Sequence, residues 1–133
     1  VPEKANVVRL HEPKVPEVIG AMLERLGYTV AEADDGDRAV ALYRQAMERS
    51  RRFDAVIMDL TVPGGKGGRE TIREILELDP DARAIVASGY SNDPVMAEHE
   101  RHGFRGCLTK PFYAAQLSEV VRQVIEAPDA QAR

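Results

Sequence analysis

Apolar positions along the chain fall into two alternating rhythms: short continuous runs, and longer stretches at helical spacing. Asn6 to Leu10 reads as a first strand, with Arg9 interrupting an otherwise apolar run. A helix follows from about Lys14 to Leu26, with Val15, Val18, Ile19, Met22 and Leu26 on one face. Pro16 suits its first turn and Gly27 its stop. Tyr28 to Ala33 alternates as a second strand. Asp34-Asp35-Gly36-Asp37 is a turn able to cap the next helix, which runs to about Arg49 and presents Ala39, Leu42, Tyr43, Ala46 and Met47. Ala55 to Met58 is continuously apolar and stops at Asp59, the pattern of a central strand buried on both faces. Pro63 to Gly68 is a glycine-rich loop, and a third helix carries Ile72, Ile75 and Leu76. Ala84 to Ala87 is a fourth strand ending at Ser88-Gly89. Asn92 to His102 is a short helix with a poor apolar stripe, Gly106 to Thr109 a fifth strand, and the last helix presents Leu117, Val120, Val121 and Val124.

Strict alternation of strands and helices predicts an α/β fold: a parallel sheet with right-handed crossovers and helices on both faces. The 133 residues suit one domain able to bury a core without disulfides or a structural metal. Residues 1–126 read as that domain and 127–133 as a tail or the start of a linker. With 44% hydrophobic and 30% charged residues the chain is globular rather than disordered. No apolar run is long enough to span a bilayer, and no segment has the pattern of a signal peptide. Cys107 is the single cysteine, so no internal disulfide forms, and a reducing, cytoplasmic setting is expected. The net charge of −4 argues against a nucleic-acid surface. A chain that begins at Val1 suggests a piece of a longer protein, whose other parts are free to carry a membrane anchor.

In an open doubly wound sheet, ligands bind at the carboxyl ends of the strands. There the chain places His11-Glu12, Asp59, Ser88 and Thr109-Lys110. With the order 2-1-3-4-5, strands one, three and four are neighbours and these residues converge. A carboxylate, a hydroxyl and an ammonium at one point suit phosphoryl chemistry. Asp59 would be the nucleophile forming an acyl phosphate, Lys110 would neutralise phosphoryl oxygens and Ser88 would donate to one of them. A Mg²⁺ held by carboxylates, a backbone carbonyl and waters would normally assist.

Three blocks carry a family resemblance: Phe53-Asp54-Ala55-Val56-Ile57-Met58-Asp59-Leu60-Thr61-Val62-Pro63-Gly64, Ala87-Ser88-Gly89-Tyr90, and Thr109-Lys110-Pro111-Phe112. From about Asn6 to Ile125 the chain resembles a CheY-like receiver domain of the response-regulator superfamily. Its wording is most similar to the C-terminal receivers of hybrid sensor histidine kinases. The resemblance implies a flavodoxin-like (βα)5 three-layer sandwich with strand order 2-1-3-4-5. It implies two-component signal transduction, with Asp59 taking a phosphoryl group from a histidine kinase or a histidine phosphotransfer domain. Ser88, Gly89 and Lys110 would bind that group, Thr61 would offer a backbone carbonyl to Mg²⁺, and Ser88 and Cys107 would occupy the switch positions. Such a domain forms and hydrolyses its own acyl phosphate, without membrane or direct nucleic-acid contact, and homodimers are one expected assembly through the fourth helix, fifth strand and fifth helix.

The chain departs from the family at strand one. Glu12-Pro13 matches the family's trailing pair, which puts Leu10 and His11 where two acidic residues belong. Leucine cannot ligate Mg²⁺ and imidazole is a poor ligand for a hard cation. His11 and Glu12 are the remaining metal candidates beside Asp59 and Thr61, and a weakened metal site is expected. Cys107 stands where the family often carries an aromatic, and is too small for that ring's movement.

Each residue also has a plainer reading. Asp59 can cap a turn, Ser88 can be an ordinary strand-end hydroxyl and Lys110 a solvated lysine, but their order and spacing together favour a site. The Gly64 to Gly68 loop lacks the ending of a phosphate cradle. His99 and His102 are expected to face solvent, Cys107 to be a small buried hydrophobe, and Arg44, Arg49, Arg51 and Arg52 to meet a helix dipole. Two functions compete: a working phosphoacceptor, favoured by Asp59, Ser88 and Lys110, and a degenerate receiver binding partners without phosphorylation, favoured by Leu10 and His11. A flavodoxin-like enzyme fits poorly, because no long phosphate-binding loop follows strand one.

Overall fold

The central strands explain the architecture. β3 (Ala55–Asp59) and β4 (Ala84–Ser88) are buried at every position, as strands covered on both faces must be. β1 (Asn6–Leu10) pairs with β3 on one side and with β2 (Thr29–Ala33) on the other, and β4 pairs with β5 (Gly106–Thr109). All pairs are parallel and the order is β2-β1-β3-β4-β5. The computed structural model describes residues 6–10, 18–51, 53–59, 68–88, 94–110 and 112–127.

Crossover helices cover the two faces. α2 (Gly36–Glu48), α3 (Gly68–Leu78) and α4 (Pro94–Ala97) pack on one, where Val40, Tyr43, Ile72, Ile75, Met96 and Phe104 meet Val56, Met58 and Val86. α1 (Val18–Arg25) and α5 (Ala114–Glu126) cover the other, with Leu23, Leu117, Val121 and Val124 against Val7, Ile57 and Ile85. The three-layer sandwich and strand order expected from the resemblance are therefore present. Among the described residues no helix is long and apolar enough to cross a membrane.

Local chemistry sets the ends. Asp35 caps α2, its Oδ1 accepting from the Arg38 N–H at 2.7 Å. Gly27 closes α1 with a φ of +99°. The stripe read for the first helix is shifted: Leu23 is fully buried and Leu26 is 41% exposed, while Ile19 and Met22 are partly buried. The helix read over Asn92 to His102 is two pieces in its described part, α4 and a 3-10 turn over His99–His102. That turn stops at Gly103, whose φ is +93°. His99 and His102 are half-buried rather than solvent-facing. Lys14, Val15 and Pro16 of the first-helix reading lie outside the described residues.

Candidate functional site

The site forms where three neighbouring strands end. Asp59 closes β3 and is 7% exposed, level with Ala87 on β4. Ser88, the next residue of β4, is fully buried. Leu10 ends β1 level with Met58, one step short of Asp59. Lys110 follows β5, and its N–H donates to the Ser88 carbonyl at 2.8 Å. That backbone bond roots the lysine beside β4, one strand spacing of about 4.8 Å from β3. Its Nζ crosses the gap and donates to Asp59 Oδ2 in a direct ion pair.

The pair is shielded. The Asp59 side chain is 9% exposed and that of Lys110 29%, so the two charges interact through a medium much less polarisable than water. A buried carboxylate held by an ammonium, beside a buried hydroxyl, is an arrangement chemically suited to nucleophilic attack with a counter-charge in place. Three residues singled out from the sequence thus meet: Asp59, Ser88 and Lys110. Cys107 lies on β5, half-buried, level with Val86, and its side chain packs towards the α2–α3 face. It borders a cleft of about 600 Å³ at the amino end of β5, which Phe104, Val120 and Val124 also line. Gly89, Thr61, Glu12 and His11 lie outside the described residues.

The donor set for a divalent cation can be read from the same positions. Mg²⁺ requires near-octahedral oxygen ligation. On the β1 side of Asp59 the described flank is Leu10, and on the β4 side it is Ala87 followed by the Ser88 hydroxyl. Among the described residues no three His, Cys, Asp or Glu side chains gather as a metal group. Asp59, the carboxylate at the site among the described residues, is ion-paired to Lys110. The described residues do not fit a Mg²⁺ cage.

Polar contacts that the sequence did not single out lie at the opposite pole of the sheet. The Tyr43 hydroxyl donates to Asp79 Oδ2 at 2.6 Å in the core, and Asp79 Oδ1 accepts from the Asp81 N–H at 3.0 Å. Arg83 Nη1 donates to the Val124 carbonyl at 2.8 Å and also to that of Ile125. The Tyr43–Asp79 bond and the two from Arg83 give no motif in the sequence, because each joins elements far apart along the chain.

Comparisons with known proteins agree with this geometry. Residues 11–122 match the response regulator receiver domain family. The chain is 33% identical to protein CcdB of Bacillus subtilis over 108 residues, covering 80% of this chain and 85% of that protein. It is 32% identical over 104 residues to the chemotaxis protein CheY of Thermotoga maritima, covering 77% and 82%. It is also 32% identical over 107 residues to the sensor kinase CckA of Brucella abortus, covering 80% of this chain but 11% of that protein. Among solved structures, the receiver domain of sensor histidine kinase PA1611 from Pseudomonas aeruginosa superposes with a TM-score of 0.81 at 26% identity, covering 93% and 99%. That structure carries a magnesium ion coordinated in its active-site cleft. With buried Asp59 paired to Lys110 at the strand ends, and with relatives this similar along most of its length, the chain belongs to the response regulator receiver domain family of two-component systems.

Proposed function

We propose that Asp59 is the phosphoacceptor of this receiver domain, taking a phosphoryl group from a histidine of a kinase or of a phosphotransfer domain. The observation that carries this reading is the shielded Asp59–Lys110 ion pair beside the buried Ser88. An Asp59 carboxylate oxygen attacks phosphorus, a P–O bond forms, and the P–N bond of the phosphohistidine breaks. Its electron pair stays on the imidazole nitrogen, which takes a proton from solvent. Lys110 neutralises charge on the transferred oxygens and Ser88 donates to one of them. Hydrolysis of the acyl phosphate resets the domain. Phosphorylation adds charge at this end of the sheet and biases the domain between two arrangements. The likeness to a segment of a sensor kinase supports a place within such a chain.

The test is incubation with phosphoramidate, a small N–P donor, read by intact mass. One phosphoryl group on the wild type, lost on treatment with hydroxylamine and absent from Asp59→Asn, is the expected result. An unmodified wild type under every donor and cation condition would overturn the reading. It would leave the alternative that Leu10 and His11 favour, a domain that binds partners without phosphorylation.

A further inference from the structure

We infer that the uncharged first turn of α5, with the exposed ring of Tyr113 at its head, is the surface on which the phosphohistidine-bearing donor domain docks. The inference rests on the reading of Asp59 as phosphoacceptor and names the face that holds its partner. Among the described residues, the large apolar side chains that stand exposed are Leu26 and Tyr113, the latter at 81%. Leu26 lies just before β2, at the far pole of the sheet from Asp59. Tyr113 lies at the near pole: α5 begins there, since its last carbonyls reach Arg83 just before β4. From Phe112 to Ser118 no residue is charged, and Tyr113, Ala114, Ala115 and Gln116 are all exposed. Beside them Leu108, Phe112, Ala115, Gln116 and Val120 border a hollow of about 380 Å³. Glu119 on its rim is ion-paired to Arg122 at 2.7 Å. An exposed tyrosine next to an apolar hollow, on an uncharged turn, has the composition of the core of a protein interface.

Distance decides the occupant. Asp59 is 7% exposed, so a phosphohistidine reaches it only from a domain pressed against the carboxyl pole of the sheet. A stable protein contact covers about 800 Å² on each partner, a disc of about 16 Å radius. Tyr113 stands three residues beyond Lys110, whose ammonium touches Asp59, and three residues span at most about 11 Å. A donor seated over the Asp59–Lys110 pair is therefore within reach of the Tyr113 ring. The Tyr113 N–H donates to Gln116 Oε1 at 2.7 Å, which fixes the backbone under the ring, so docking has only side-chain torsions left to order. Aromatic anchors of this kind carry a large share of binding, and the donor face that matches this one is apolar and uncharged.

The test compares a small donor with protein donors on the same chain. Phosphoramidate needs no docking surface; the autophosphorylated sensor kinases CckA and PA1611, whose receivers this chain resembles, do. Wild type, Tyr113→Ala and Tyr113→Phe are labelled by each, and the rates are followed by intact mass. Truncation leaves the capping bond in place, because the backbone N–H makes it. The expected result is equal labelling of all three by phosphoramidate, with transfer from a kinase slowed about tenfold or more in Tyr113→Ala and restored in Tyr113→Phe. Equal transfer from the kinases to wild type and Tyr113→Ala would overturn the inference. So would a fall in both arms, which would place Tyr113 in the chemistry or the folding of the site rather than in docking. Labelling of the wild type by phosphoramidate but by neither kinase would overturn the docking surface and leave Asp59 as phosphoacceptor. No labelling by any donor would overturn the phosphoacceptor reading itself.

Discussion

At the scale of single residues, the polar groups that sequence spacing could not pair are the ones joined across long separations. Tyr43 on α2 donates to Asp79 beyond α3, inside the core. Tyr43→Phe removes a hydrogen-bond donor from a buried carboxylate. A loss of about 1–3 kcal/mol is expected, measured by chemical denaturation. Gly103 is more constrained: its φ is +93°, and a Cβ there would lie 2.5 Å from Leu76 Cδ1. The leucine tip can move, but the backbone strain cannot be relieved, so Gly103→Ala should cost about 1–2 kcal/mol in the same assay. Arg9, which reads as a misfit in an apolar strand, has a definite place in the backbone register. It lies opposite Glu32 of β2, so its neighbour on the adjacent strand is acidic. Nothing in a single sequence could state that register. Tyr28 titrates with a sign that can be worked out: burial, then the charge of Glu126, raises its pKa above 10.0. The folded state therefore favours the neutral phenol. Its contribution is complete below the unfolded pKa and is lost as pH rises through the folded one. Absorbance titration should show Tyr28 ionising late, and Glu126→Gln should bring it earlier.

At the scale of elements, the sequence was legible wherever burial was complete and opaque where it was partial. β3 and β4 are buried throughout and read as continuous apolar runs. Asp59 and Ser88 were visible as candidates because each ends such a run abruptly, and Lys110 because it precedes Pro111 at the end of β5. α1 misled because apolar residues outnumber the positions its contact face needs: Leu26 fits the period yet stands 41% exposed, while Leu23 is buried. The segment after β4 failed as one helix because its weak stripe gives no continuous face to bury, and the chain tightens into a 3-10 turn before Gly103. α5 shows what packing adds to pattern. Its last carbonyls, those of Val124 and Ile125, accept from the guanidinium of Arg83 just before β4. This ties the helix end to the base of the sheet, where orphan carbonyls would otherwise need water. Arg83→Met should keep the fold but loosen that turn. Faster amide exchange confined to the end of α5, with the first turns unchanged, would bear this out; uniform exchange along the helix would refute it.

At the scale of the whole molecule, the Asp59–Lys110 pair makes the carboxyl end of the sheet one mechanical unit. Lys110 is bonded through its backbone to Ser88 and through its side chain to Asp59, so β3, β4 and the end of β5 share one junction. A phosphoryl group on Asp59 would displace that ammonium, and β5, an edge strand with one strand neighbour, would be the element to take up the displacement. Cys107, two residues before Thr109 on that strand, is half-buried and borders the cleft of about 600 Å³ beside α5. As the single cysteine it reports on β5 without engineering. Alkylation of the folded domain by a small thiol reagent should be slow but measurable. Phosphorylation should change its rate in the wild type and leave Asp59→Asn unaffected. The unphosphorylated Lys110→Ala chain lacks the tether to Asp59, so its rate should depart from that of the unphosphorylated wild type. If the Cys107 rate is the same in all these states, β5 does not carry the signal, and the response to phosphorylation must leave the site through β4 or the helices packed on it.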